Sequence, residues 1–200
     1  WYDKIEADGL LKNVSDFFIV RDKEIDREAI FDKNGRRISK WFKRIEKYGL
    51  IRGESPYYIV KHPYGKYAIF HRDGNRISKW YDWIEPHGLV IGSSNYYIAV
   101  KGNKKAIFDK DGNMISPEWF NEIYRDGLID GESPYYIARK NRKYAIFDVY
   151  GYQISDWFDD ILPNGLVRGE SDDYYIAFDG KTFAVYYFRK KVSDDFPSDI

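Results

Sequence analysis

The 200-residue chain carries three histidines, His62, His71 and His87, and no cysteine. Thiolate zinc sites, disulfides and cysteine nucleophiles are therefore excluded. The histidines stand at three different positions of the internal repeat described below, so symmetry does not bring them together. His62 and His71 could share a metal only by facing each other across one hairpin, and the expectation is solvated turn residues and no metal site. No Gly-x-Ser-x-Gly elbow supports a Ser/His/Asp triad. Carboxylates are the remaining chemistry, because two of them flanking one cleft can hydrolyse a glycosidic bond. The candidates are Asp3, Asp82 and Asp159, each two residues after a tryptophan, and Glu54, Glu132 and Glu170 in a link between strands. Each set recurs at one repeat position, as acids that hydrogen-bond turn amides do. A catalytic pair breaks the symmetry of a repeat, and no unique, unmatched acid stands out, so neither a catalytic residue nor a cofactor is expected. The stretch Asp109-Lys110-Asp111-Gly112-Asn113 lacks the further carboxylates of a calcium loop and reads as a hairpin turn.

Charge narrows the partners. Lys plus Arg and Asp plus Glu both total 32, and a chain of zero net charge lacks the cationic surplus that nucleic-acid binding requires. Charged residues are spread throughout and no apolar run reaches 18 residues, so membrane insertion is not expected. The first ten residues, WYDKIEADGL, lack the basic and apolar regions of a signal peptide. Aromatic residues make up 19% of the chain, a bias that favours strands.

The elements that must position any site come from a repeat of close to 39 residues. Tryptophan recurs at Trp1, Trp41, Trp80, Trp119 and Trp157, and a Gly-Leu pair at Gly9, Gly49, Gly88, Gly127 and Gly165. A doubled aromatic followed by Ile begins at Phe17, Tyr57, Tyr96, Tyr135 and Tyr174. An Ala-Ile-Phe run begins at Ala29, Ala68, Ala106 and Ala145, with Ala184-Val185-Tyr186 as its fifth copy. The heptapeptide GESPYYI stands verbatim at 53–59 and 131–137. A sixth unit begins near Val192, with Phe196 in the tryptophan place.

Within the unit at 57–95, Tyr57 to His62 and Tyr67 to His71 read as strands around a turn at 63–66. A type I turn closed by a glycine of positive φ follows at Gly74, as at Gly35, Gly112 and Gly151. Arg76 to Glu85 reads as a third strand kinked near Lys79, and Leu89 to Ile91 as a short fourth. No window holds a 3.6-residue apolar period, so the expectation is an all-β domain of five tandem four-stranded repeats. A single such meander cannot bury both faces, so neighbouring units must stack, with the recurrent tryptophans as core between them. Five complete sets of elements favour a five-bladed β-propeller, and an open β-solenoid of stacked repeats is the alternative.

The repeat resembles the bacterial WG-repeat family through Lys66-Tyr67-Ala68-Ile69-Phe70, the Asp109 to Gly112 turn, Trp80-Tyr81-Asp82-Trp83-Ile84 and Gly88-Leu89, across nearly the whole chain. The family's naming Trp-Gly pair is Tyr67-Ala68 here. That resemblance implies an interaction module without assigned chemistry.

Consecutive strand residues point to opposite faces, so one tyrosine of each pair can be buried while the other reaches a more exposed face. Tyr57, Tyr96, Tyr135 and Tyr174, beside Glu54, Glu132 and Glu170 and the serines Ser55, Ser94, Ser133 and Ser171, are the candidate ligand-binding residues. Tyrosine with a polar rim suits protein contact or sugar stacking. The expected function is a non-enzymatic binding module with a protein partner, a multivalent lectin being the alternative and a propeller glycosidase the remoter one. Among positions that differ between units, one is expected to hold Asn13, Arg52, Ile91, Asp130 and Arg168.

Overall fold

A computed structural model describes residues 4–6 and 8–196. Trp1 and Asp3 lie outside the described residues, as does the end of the sixth unit after Phe196. The chain forms five small antiparallel sheets. They are β1 (Lys4–Ile5), β2 (Phe17–Asp22) and β3 (Arg27–Asp32); β4 (Arg44–Ile45), β5 (Tyr57–Lys61) and β6 (Tyr67–His71); β7 (Trp83–Ile84), β8 (Tyr96–Lys101) and β9 (Lys104–Asp109); β10 (Glu122–Ile123), β11 (Tyr135–Lys140) and β12 (Lys143–Asp148); and β13 (Asp160–Gly165), β14 (Tyr174–Phe178), β15 (Phe183–Tyr187) and β16 (Lys190–Lys191). Two compact units are present, Trp1–Gly102 with Asp109–Asn113, and Asn103–Phe108 with Met114–Ile200.

The expected third strand is shared between sheets. In the first unit Arg37 and Phe42 bridge back to Phe31 and Glu28 of β3, and two residues later Arg44 and Ile45 pair with Lys61 and Val60 of β5. Segment 76–84 repeats the move from β6 to β8, and in the second unit segments 114–123 and 153–161 do the same. The kink expected near Lys79 is where the chain leaves its first partner. There Ser78 is buried and its Oγ accepts the Ile69 N–H at 2.8 Å, replacing a missing backbone acceptor. Ser39, Ser116, Ser155 and Ser193 do likewise for Ile30, Ile107, Ile146 and Val185.

The Gly-Leu segment is not the fourth strand the sequence led us to expect. Residues Gly9–Lys12 and Gly49–Arg52 are single 3₁₀ turns. Gly49 has φ +71°, a left-handed conformation that breaks the extended chain, and a Cβ there would lie 2.2 Å from the Tyr57 carbonyl oxygen and 2.8 Å from that of Val90. The glycine therefore serves both the turn and close stacking on the next repeat. In the last three repeats one backbone bond mimics a ladder, from Leu89 N–H to the Tyr96 carbonyl at 2.7 Å, Leu128 to Tyr135 at 2.8 Å and Leu166 to Tyr174 at 2.8 Å, and Gly165 also pairs with Tyr175.

Stacking appears in the burial of β5 and β6, where Tyr58-Ile59-Val60 and Ala68-Ile69-Phe70 are buried on consecutive residues, so both sheet faces are covered. One core joins Ile19, Ile30, Phe42, Ile45, Ile51 and Tyr58, and in the second unit another joins Ile137, Phe158, Ile161, Val167 and Tyr175. The tryptophans do not fill these cores as expected. Trp41, Trp80, Trp119 and Trp157 are half-buried, and the next residue, Phe42, Tyr81, Phe120 or Phe158, is the buried one. Strand parity is the cause: the residue after the tryptophan faces inward, so the indole lies at the rim against the Phe of the Ala-Ile-Phe run.

Gly49→Ala should cost roughly 4 kcal/mol or more, because both the turn and its neighbour must shift. Gly65, at φ +84° where an added Cβ would meet nothing within 4 Å, should lose only about 1–2 kcal/mol on the same substitution. Urea melts of the two variants test the difference.

Candidate binding surface

The doubled aromatics divide as the alternation requires. Tyr58, Tyr97, Tyr136 and Tyr175 are buried, while Tyr57, Tyr96 and Tyr135 are half-buried and Tyr174 is exposed. The buried ring stacks across its hairpin on the aromatic of the next strand: Tyr58 on Phe70 at 5.9 Å, Tyr136 on Phe147 at 5.6 Å and Tyr175 on Tyr186 at 5.5 Å. Burial pushes the Tyr58 hydroxyl up to about 12 and raises those of Tyr97, Tyr136 and Tyr175 as well. The outer tyrosines have looser company, such as the edge contact of Tyr57 with His71 at 5.4 Å.

The loop residues beside them are committed to the frame. Glu54, Glu132 and Glu170 are exposed, yet one carboxylate oxygen of each accepts the N–H of Gly49, Gly127 or Gly165 at 2.7, 2.8 and 2.9 Å. Ser55 Oγ donates to the Val90 carbonyl of the following repeat at 2.5 Å and accepts the Tyr57 N–H at 3.1 Å. Ser15 and Ser133 make the same link to Ile51 and Val167. What remains for a partner is the second oxygen of each glutamate and the outer tyrosine faces.

The position that varies between units needs one correction of register. Asn13 is the left-handed residue closing the Gly9–Lys12 turn, as Gly53 closes Gly49–Arg52, so Lys12 is the counterpart of Arg52. Lys12, Arg52 and Arg168 are exposed, while Ile91 and Asp130 are half-buried. Arg52 lies over the Tyr48 ring at 4.6 Å, and Arg168 donates to Asp126 at 2.8 and 2.9 Å.

A unique acid, which the repeat alignment did not single out, does exist. Glu28 stands where other repeats carry Tyr67, Lys105, Tyr144 and Phe183, and it is buried. It helps line a pocket of about 460 Å³ with Glu6, Arg44, Glu46, Lys47 and Lys61. Both of its oxygens are engaged, one by Arg44 at 2.6 Å and the other by the Ile45 N–H at 2.8 Å. Glu28 thus anchors β4 to the first sheet. Glu46 is pushed above the usual carboxylate range, first by burial and then by the Glu28 charge, against the pull of Lys61. The departure of Glu28 from the repeat is visible in the sequence as the one acid in a column otherwise held by Tyr67, Lys105, Tyr144 and Phe183.

The histidines do not converge: His62 packs against Trp80 and Tyr64, whereas His71 meets Tyr57 and pairs with Asp73. Among the described residues no group of three or more His, Asp or Glu side chains is placed to hold a metal ion. Asp109 spends its carboxylate on the N–H groups of Asp111 and Asn113, the hairpin-turn role expected of it. Among the described residues no helix is long and apolar enough to cross a membrane.

No family model matches the sequence, and no curated protein matches it. Solved structures similar to this chain include Kluyveromyces lactis Hsv2, at 11% identity and a TM-score of 0.40 over 91% of this chain. Kluyveromyces marxianus Hsv2 is similar at 12% identity and a TM-score of 0.40 over 90%. The match spans 65% and 59% of those chains, under two thirds of their length.

Two sets of variants probe the site. Glu46 binds its proton more tightly folded than unfolded, so it costs stability once pH rises past the unfolded value near 4.5. Glu46→Gln should therefore raise Tm at pH 7, and the gain should vanish in acid below that value. The buried Tyr136 hydroxyl has no hydrogen-bond partner among the described residues, whereas that of Tyr175 donates to the Phe188 carbonyl at 2.5 Å. Tyr136→Phe should accordingly be neutral or stabilising and Tyr175→Phe should cost about 1 kcal/mol, as read by chemical denaturation.

Proposed function

We propose that the protein is a non-enzymatic binding module on a propeller-like array of β-repeats, five-bladed if the array closes, and that it engages a partner protein. One observation carries this reading. Polar side chains that recur from repeat to repeat are spent on backbone groups inside the frame, whereas the last residue of each Gly-Leu turn changes along the chain: Lys12, Arg52 and Arg168, which are exposed, and Ile91 and Asp130, which are half-buried. A surface that changes from unit to unit suits one patch on one partner better than five equal sites. The WG-repeat resemblance supports the same role.

The recurrence of Tyr57, Tyr96, Tyr135 and Tyr174 on the open side of their strands favours a second reading, a multivalent lectin whose weak sites combine through avidity. A glycan array of the labelled protein, competed with free sugar, separates the two. The protein-binding reading expects a blank array and a cross-linked partner that is lost on Arg52→Glu and kept in the Tyr57→Ala, Tyr135→Ala, Tyr174→Ala variant. Competable glycan signal abolished by the tyrosine variant would establish the lectin instead.

A further inference from the structure

In the first compact unit the rim tryptophans Trp41 and Trp80 line a cleft of about 510 Å³ together with Arg27, Lys40, His62 and Arg76. No acidic residue lines it. Arg27, Lys40 and Arg76 have no acidic partner among the described residues, whereas Lys43, Lys66 and Lys143 do. The reason lies in the repeat. Lys66 and Lys143, at the place of Arg27, pair with Asp82 and Asp159, but the residue facing Arg27 in that scheme is Lys43, which pairs instead with Asp26. The columns of Arg37 and Lys40 repeat as Arg76 and Lys79 and then turn neutral or acidic, as Gln153 and Asp156. The cationic patch is thus a local break in a repeat of zero net charge.

The same geometry disfavours a sugar. Each indole has an aromatic neighbour, Phe31 at 6.4 Å from Trp41 and Phe70 at 6.2 Å from Trp80, and each carries a guanidinium, Arg37 at 5.7 Å and Arg76 at 5.8 Å from the ring centroid. His62 meets Trp80 at 5.0 Å. A stacked guanidinium keeps its N–H edge free for a carboxylate while occupying the face on which a pyranose would lie. Cations from three separate chain segments converge on the cleft, which fits several carboxylates spaced along an extended chain.

We propose that the Trp41–Trp80 cleft docks an acidic segment of a partner protein, its Asp or Glu side chains taken by Arg27, Lys40 and Arg76. This site shares no residue with the Gly-Glu-Ser loops, so it stands or falls separately from the surface proposed above. The test follows tryptophan fluorescence while the whole chain is titrated with a synthetic Glu-rich peptide, with its Gln-rich counterpart, a sulfated oligosaccharide and single-stranded DNA as comparison arms at equal salt. Expected is saturable binding of the acidic peptide that weakens with salt and falls about tenfold or more in Arg27→Gln/Arg76→Gln. Lys181→Gln, on an exposed turn of the other unit, should leave it unchanged, and near-equal Tm values should show that the variants fold. Lys40→Ser gives a second, milder loss if the double variant is unstable. Absence of peptide binding, binding equal for the Gln-rich peptide, tighter binding of the sulfated sugar or of DNA, or no effect of the substitutions would each overturn the proposal.

Discussion

One short segment in each repeat serves two sheets, and its backbone has to satisfy both. The segment from Arg37 to Ile45 first closes the sheet behind it and then opens the sheet ahead, so each junction is made of the same amide groups that build the sheets on either side. Leaving one partner for the next would orphan a buried N–H, a cost of about 1–3 kcal/mol, had not a serine been placed to accept it. The buried serine Ser78 and its equivalents are therefore as necessary to the array as the isoleucines they serve. The second fastening, from Ser55 to the Val90 carbonyl beside the side-chain-free Gly49, depends on the same close backbone approach.

From this follows the division between frame and surface. A side chain that recurs at every junction is already bonded on the inside and has little left to offer a ligand. Glu54 and its counterparts illustrate this, each holding the amide of a turn glycine. In the reading proposed above, recognition falls to residues that depart from the pattern, among them Arg52, Arg168 and Arg27. Glu28 shows the limit of that rule, since a departure can be consumed in anchoring a strand.

Much of the fold was legible in the chain itself. The period, the hairpins around Gly35, Gly74, Gly112 and Gly151, and the burial of one tyrosine in each pair follow from turn chemistry and strand parity. The Gly-Leu element was misjudged because Leu89-Val90-Ile91 has strand composition, and composition does not reveal that Gly88 sits at φ +71°. Unbroken recurrence points the tryptophans to the core, whereas the kink at Ser78 shifts parity so that Tyr81 takes the inner place and Trp80 the rim. At the candidate site, the tyrosines were found by recurrence. The cation cleft escaped because it lies in the absence of recurrence, where Lys43 replaces an aspartate.

The sharing of a segment between successive sheets also sets a quantum for change in the gene. Removing or duplicating one whole period reconnects every half-segment to an equivalent partner, and the new junction is chemically the old one. Removing any other length strands the front half of one segment without its sheet and leaves a serine facing no amide. Repeat number can thus drift by recombination while repeat length stays near 39 residues, and GESPYYI, standing unaltered two periods apart at 53–59 and 131–137, is what a copied pair of periods would leave behind.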